Sequence, residues 1–189
     1  MPKLMVVIAS TRPGRVGLPV AQWFEAQAVA HGGFDVEVAD LAELNLPLMD
    51  EPNHPRLHTY IHQHTRDWSA LVDASDAFVF VLPEYNNGYT APLKNAIDYL
   101  HNEWFYKPVG LVSYGGVAGG TRAAQMIKPV LAVLKMVPVG SAVVIPFVGR
   151  LVNDDGQIDA NETMEQAATA MLVELQRVEA ALRTLRVEV

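Results

Sequence analysis

The chain predicts an α/β protein, a doubly wound five-stranded parallel sheet in the order 2-1-3-4-5, and three observations carry that prediction. Apolar strand-length runs alternate with helix-length stretches from one end to the other. One run, Ala77 to Leu82, has no polar alternation at all, as expected of a central parallel strand covered on both faces. The two most unusual loops, Ser10 to Gly17 and Pro83 to Tyr89, follow the first and third strands, and this strand order makes those two strands neighbours at the topological switch point.

Taken in order, Leu4 to Ala9 is the first strand and a helix follows from about Leu18 to Ala30, with Pro19 suited to its first turn. Gly32-Gly33 stops that helix before a strand at Phe34 to Val38. The Pro-rich stretch Leu46 to Pro55 is a long irregular connection of the kind that often rims a site. A helix from about Thr59 to Asp73 feeds the strand Ala77 to Leu82, which Pro83 ends by removing a ladder donor. A helix over Ala91 to Leu100 leads to a strand at Val109 to Tyr114. The Gly-rich turn Gly115 to Gly120 opens a helix to about Leu134, and the last strand is Val139 to Ile145. A polar turn, Asn153 to Gly156, precedes a closing helix over Glu162 to Leu185. Its apolar repeat (Met164, Ala168, Met171, Leu175, Val178, Leu182, Leu185) is expected to pack on the sheet. Five strands and five helices result. The aromatic segment His101 to Tyr106 is expected in the core or at a subunit interface, with the interface favoured.

Composition narrows the function classes. The 189 residues form one domain with no dividing low-complexity or single-sign charge run, and half of them are hydrophobic. The formal net charge is −7, and fourteen scattered Lys and Arg make no clustered basic face for nucleic acid. The absence of cysteine excludes disulfides, thiol nucleophiles and thiolate metal sites, and suits a reducing, cytoplasmic setting. Lys3 to Ala9 is too short and wrongly flanked for a signal peptide, and Pro138, Gly140 and Pro146 break the apolar stretch Val137 to Val148, so no membrane segment is expected. His58 and His62 stand four apart, but no Glu follows His58 as in a zinc-binding helix; an exposed helix face is the simpler reading and no metal is expected.

The chemistry concentrates in three loops. In Ala9-Ser-Thr-Arg-Pro-Gly-Arg-Val-Gly17, hydroxyls, two guanidinium groups and a flexible backbone precede a helix amino terminus, which together make a phosphate pocket. Neither Gly-x-Gly-x-x-Gly nor a Walker lysine is present. After Pro83, the backbone of Glu84 to Gly88 is expected to face a flat, heteroatom-rimmed cofactor, with Tyr85 flanking its plane. The third loop, Ser113 to Thr121, has Walker-like glycine spacing but Thr121 where lysine is required, so its glycines are read as letting backbone approach one edge of a ring.

Ser10-Thr-Arg-Pro-Gly-Arg15, Leu82-Pro-Glu-Tyr-Asn86, Leu93-Lys-Asn-Ala-Ile-Asp98 and Ser113-Tyr-Gly-Gly116 resemble the NADPH-dependent FMN reductase family over nearly the whole chain. The resemblance implies a flavodoxin-like fold, FMN as cofactor, NADPH or NADH as co-substrate, and a homo-oligomer, dimer or tetramer. It implies that Ser10, Arg12, Arg15, Val16 and Gly17 hold the FMN phosphate. Pro83, Glu84, Tyr85 and Asn86, with Asn87 and Gly88, would contact the ring, and Ser113, Gly115 and Gly116 would close its far side. Ala9 replaces a common glycine of the family, and Asn87-Gly88-Tyr89 is a variable segment. Hydride would pass from the nicotinamide to FMN and then to a small-molecule acceptor: a quinone, flavin, azo dye or metal oxyanion. The cofactor carries such a reaction, so no catalytic side chain is assigned. The alternative from another class is a flavodoxin-type electron carrier without its own nicotinamide reaction, against which the arginines of the first loop argue. A phospho-receiver would need an acidic pair after the first strand and an Asp after the third, where Ser10 and Pro83 stand.

Overall fold

The computed structural model describes residues 1–186, and its chain runs β1 (Lys3–Ile8), α1 (Gly17–His31), β2 (Asp35–Asp40), α2 (Leu41–Leu44), α3 (Gln63–Asp73), β3 (Ala77–Pro83), α4 (Ala91–Asp98), β4 (Pro108–Tyr114), α5 (Thr121–Val133), β5 (Val137–Pro138), β6 (Val143–Ile145) and α6 (Glu162–Arg186). The strands are all parallel in the order β2-β1-β3-β4-β5, with β6 also pairing β4. This is the expected doubly wound sheet. Every residue of β3 is buried, and its side chains divide between two cores by strand alternation. Phe78, Phe80 and Leu82 face α3, α4 and α5, whereas Ala77, Val79 and Val81 face α1 and α6.

The single last strand expected at Val139 to Ile145 is two short ones. The N–H groups of Gly140 and Ser141 donate to the Glu174 carboxylate at 2.9 and 2.7 Å, which takes donors that a continuous ladder would have used. A short helix, α2, is present where none was expected. Asp40 starts it by accepting from the Ala42 N–H at 2.9 Å. The helix expected from Thr59 begins only at Gln63, because Glu51 accepts the N–H groups of Ile61 and His62, each at 3.0 Å, and holds them outside the helix. His58 and His62 therefore share no helix face: His58 has a left-handed backbone (φ 52°) and its ring lies 3.0 Å from Glu103.

The segment His101 to Tyr106 also departs from expectation. Trp104 is core, not interface: it is buried against Trp68 and Phe78, with ring centroids 6.0 and 5.0 Å away, and its indole N–H donates to the Ile97 carbonyl at 3.1 Å. Glu103 beside it is buried and accepts from the hydroxyls of Ser69 at 2.6 Å and Tyr60 at 2.7 Å. In α6 the apolar repeat packs on the sheet through Met164, Ala168, Met171 and Leu175, but Leu185 is exposed. The later turns are held by charge instead, with the buried Glu179 carboxylate paired to Arg183 and Arg186. Among the described residues no helix is long and apolar enough to cross a membrane.

Lys107 is buried, and its ammonium donates to the carbonyls of Val72 and Asp73 at 2.8 and 3.0 Å, closing the carboxyl end of α3. Burial pushes its pKa down to about 8 from 10.5. Between those two values the unfolded chain binds the extra proton, so stability is expected to rise with pH across that window. Urea unfolding at several pH values is expected to show this slope in the parent and a flatter profile in Lys107→Met. Trp104→Ala is expected to cost about 3–5 kcal/mol in the same assay, since it empties the shared aromatic core.

Candidate active site

The site lies at the carboxyl edge of β1, β3 and β4. After β1, the Ala9 N–H still bonds the Val81 carbonyl at 3.0 Å and the Thr90 hydroxyl donates to the Ala9 carbonyl at 2.7 Å, so the first loop leaves from a fixed point. Gly14 turns the loop with φ 69°. Arg15 points back into it, donating to the Ser10 carbonyl at 2.6 Å and forking onto the Asp40 carboxylate, with one arm at 2.6 Å. That fork raises the guanidinium pKa and commits Arg15 to shaping the loop. Arg12, by contrast, is exposed and has no bonded partner among the described residues.

The amino terminus of α1 is bare. Val16 occupies its cap position without a capping side chain, the first turn holds no acidic residue, and Pro19 has no N–H. The N–H groups of Val16, Gly17 and Leu18 have no acceptor among the described residues. Ser10 is buried beside them.

The second loop is tighter than its sequence suggests. Tyr85 and Gly88 exchange both backbone hydrogen bonds, each at 2.9 Å, around Asn86 and Asn87 with φ 49° and 68°, which is a type I′ turn. The backbone of Glu84 to Gly88 is therefore not all available: Tyr85 and Gly88 satisfy each other, and the N–H groups of Asn86 and Asn87 at the tip are unpaired among the described residues. The Glu84 carboxylate accepts from the Arg122 N–H at 3.1 Å and from its Nε at 2.5 Å, capping α5 where Gly120 offers no side chain. Arg122 thereby holds the Glu84 carboxyl below its ordinary pKa. Tyr85 is 42% exposed, and its hydroxyl lies 3.2 Å from Ser10 Oγ, which links the first two loops.

In the third loop the Gly115 N–H donates to the Ile145 carbonyl at 3.2 Å. The carbonyls of Gly115 and Gly116 accept from Val148 at 3.2 Å and Phe147 at 3.0 Å. A Cβ at Gly116 would meet nothing within 4 Å, so this backbone is open to a neighbour. Gly120 has φ 80°, and a Cβ there would stand 2.8 Å from the backbone of Tyr114.

A cleft of about 130 Å³ joins these loops. Of the expected residues it gathers Ser10, Arg12, Arg15, Val16, Pro83, Glu84, Tyr85 and Gly115. Gly17 underlies it at the start of α1, while Asn86, Asn87 and Gly88 form the hairpin tip and Gly116 the open edge. Ser113 is turned inward: its buried side chain lies under Gly120, away from the cleft lining. Tyr114 and Val148 also line the cleft and were absent from the expected set. Strand alternation carried the signal for Tyr114, since it falls on the α1 face two residues after Val112.

Three loops converging at a switch point of a 2-1-3-4-5 sheet, with an uncapped helix amino terminus, define a phosphate-bearing cofactor site of the flavodoxin-like class. Residues 2–149 match the NADPH-dependent FMN reductase family, and the chain belongs to it. It is an NAD(P)H-dependent oxidoreductase with FMN as cofactor. A Schizosaccharomyces pombe protein named NAD(P)H-dependent FMN reductase is 42% identical over 137 residues, covering 71% of this chain and 68% of its own. A Nectria protein of the same description is 35% identical over 153 residues, covering 78% and 76%. In fold, the flavoenzyme NAD(P)H:(acceptor) oxidoreductase of Paracoccus denitrificans superimposes with a TM-score of 0.76 at 20% identity, over 94% of this chain and 98% of that one. The residues present fit FMN: unpaired N–H groups and an unpartnered buried phenol, that of Tyr114, stand where a phosphate monoester needs donors.

Because the folded Glu84 carboxyl titrates below its ordinary 4.5, its contribution is complete above that pH and is lost as pH falls through the lower folded value. Glu84→Gln is expected to flatten the acid limb of thermal stability below pH 4.5 relative to the parent, measured by scanning calorimetry.

Proposed function

We propose that this chain binds FMN in the cleft and passes hydride from NADPH or NADH through it to a small-molecule acceptor: a quinone, flavin, azo dye or metal oxyanion. The observation that carries this reading is the set of unpaired N–H groups of Val16, Gly17 and Leu18 beside an uncommitted Arg12. These groups, with Ser10, bind the phosphate. Arg15 keeps the loop in shape through Asp40, and so acts on the cofactor through the backbone it positions. With its phosphate at the helix terminus, the cofactor's ring would lie along Tyr85 and the hairpin tip. There the N–H groups of Asn86 and Asn87 face its heteroatoms, and Gly115 and Gly116 bound its other edge.

Bound FMN would supply a two-electron relay between the nicotinamide and the acceptor. The chain's part is to orient the ring and leave one face free for each partner in turn, a ping-pong order. Water is the proton source in this reading, and no catalytic side chain is assigned. The protein works in the cytoplasm as a homo-oligomer, dimer or tetramer; exposed Met126 and Val133 on α5 support a further subunit contact.

An anaerobic absorption spectrum of the FMN-reconstituted protein tests the reading. Bleaching on addition of NADPH or NADH, reversed by a quinone, is expected. A flavin spectrum that stays oxidised would instead mark an electron carrier. Arg12→Ala is expected to weaken FMN binding about tenfold, measured by quenching of flavin fluorescence, because it removes a charge-assisted phosphate contact.

A further inference from the structure

Tyr114 ends β4, and its side chain runs under the amino terminus of α1. A Cβ built on Gly17 would stand 2.4 Å from the Tyr114 hydroxyl oxygen and 3.3 Å from Ser10 Cβ, so the glycine keeps this space open. Tyr114 is only 5% exposed, and its hydroxyl has no hydrogen-bond partner among the described residues. The Ser10 side chain lies near it without completing a well-formed bond, and a buried hydroxyl left so is costly, which makes a bound acceptor at this point stabilising.

The neighbourhood says what that partner is. Near the phenol stand Gly17, the Ser10 and Tyr85 hydroxyls and the guanidinium groups of Arg12 and Arg15, and the unpaired N–H groups of Val16, Gly17 and Leu18 belong to the same helix terminus. The one carboxylate on the first-loop side, Asp40, is already forked onto Arg15. The Ser10 hydroxyl can accept as well as donate, but the N–H and guanidinium groups only donate, and the acceptor that satisfies many donors at once is an anion. Burial, the main influence, raises the phenol pKa well above its ordinary value, so the hydroxyl is a proton donor throughout the neutral range.

We infer that the Tyr114 hydroxyl is a binding residue for the cofactor's terminal phosphate, and that it makes the site select a phosphorylated flavin over riboflavin. This rests on the FMN reading and sharpens it, because it adds one hydroxyl, and the missing Cβ of Gly17 that leaves room for it, to the groups that discriminate. An adenine dinucleotide carries its phosphate as a diester with fewer free oxygens, so the same arrangement disfavours it at this cleft.

The test compares FMN and riboflavin on apoprotein of the parent, Tyr114→Phe and Gly17→Ala, by quenching of flavin fluorescence and by thermal unfolding without ligand. Tyr114→Phe is expected to weaken FMN about tenfold or more while riboflavin binding stays within about twofold. The apoprotein should melt no lower than the parent, since an unpaired buried hydroxyl has been removed. Gly17→Ala should mimic the loss for FMN by pushing the hydroxyl aside, although alanine favours the helix. Equal weakening of both flavins, or unchanged FMN affinity in Tyr114→Phe, would overturn the assignment and leave the cofactor reading intact. A parent protein that binds neither flavin would overturn the cofactor reading and this inference with it.

Discussion

The carboxyl edge of the sheet is organised around an unsatisfied helix terminus. An α-helix carries roughly half a positive charge at its amino end, in N–H groups that need acceptors. In most helices a Ser, Thr, Asp or Asn takes one of them. Here Val16 holds the cap position, no acid lies in the first turn and Pro19 withdraws one donor without satisfying the others. The demand is left for something outside the chain. The core on one face of the sheet fixes α1 against β1, β3 and α6 through Val20, Ala21, Phe24 and Ala28, so the terminus is held in place.

What surrounds that terminus is rigid in a way that follows from the same requirement. A loop rich in donors would open by mutual repulsion if each charge were free. Asp40 removes that freedom from Arg15 with a fork that is mostly buried, and the same carboxylate starts α2. Glu84 does the equivalent at α5, where it takes the helix N–H and the Arg122 side chain together. Asn86 and Asn87 hold the hairpin in left-handed geometry, which their short amide side chains tolerate better than β-branched ones would. The bond between Ser10 and Tyr85 then makes the two loops one surface. Each carboxylate of the cleft is thus engaged in positioning, and neither presents free negative charge to an incoming anion.

The fold was readable because its signals are local. The uninterrupted β3 run, the Gly32-Gly33 stop and the Pro83 terminus each act within a few residues, and the sheet order followed from them. The two loops of the site were readable for the same reason, being chemically unlike their surroundings. What the residues did not disclose depends on partners distant in sequence. Glu174 breaks the last strand from 33 and 34 residues away, and Glu51 holds back the start of α3 from 10 and 11 away. The clamp between Arg15 and Asp40 was not legible, because Asp40 is 25 residues on, past an entire helix. Trp104 looked like an interface residue because its partners Trp68 and Phe78 lie on separate elements. Ser113 and Tyr114 are adjacent, yet strand alternation sends one beneath Gly120 and the other to the cleft. Reading a motif as a block obscures that division.

Charge accounting at the cleft explains why neutral donors gather there. The whole chain has a formal charge of −7, whereas the cleft and its clamps hold Arg12, Arg15 and Arg122 against Asp40 and Glu84, a local balance of one positive charge. The helix terminus adds roughly half a charge more. A phosphate monoester brings about −1.5 to −2 at neutral pH. Ionic pairing alone therefore falls slightly short, and the remainder has to come from hydrogen bonds that carry no net charge: backbone N–H groups and the hydroxyls of Ser10 and Tyr114. An additional lysine would close the gap electrostatically, but it would draw in any polyanion. Directional neutral donors accept only an anion whose oxygens fit their positions, and the acidic exterior keeps extended polyanions at a distance. A site built this way would favour one compact phosphate over an extended polyanion.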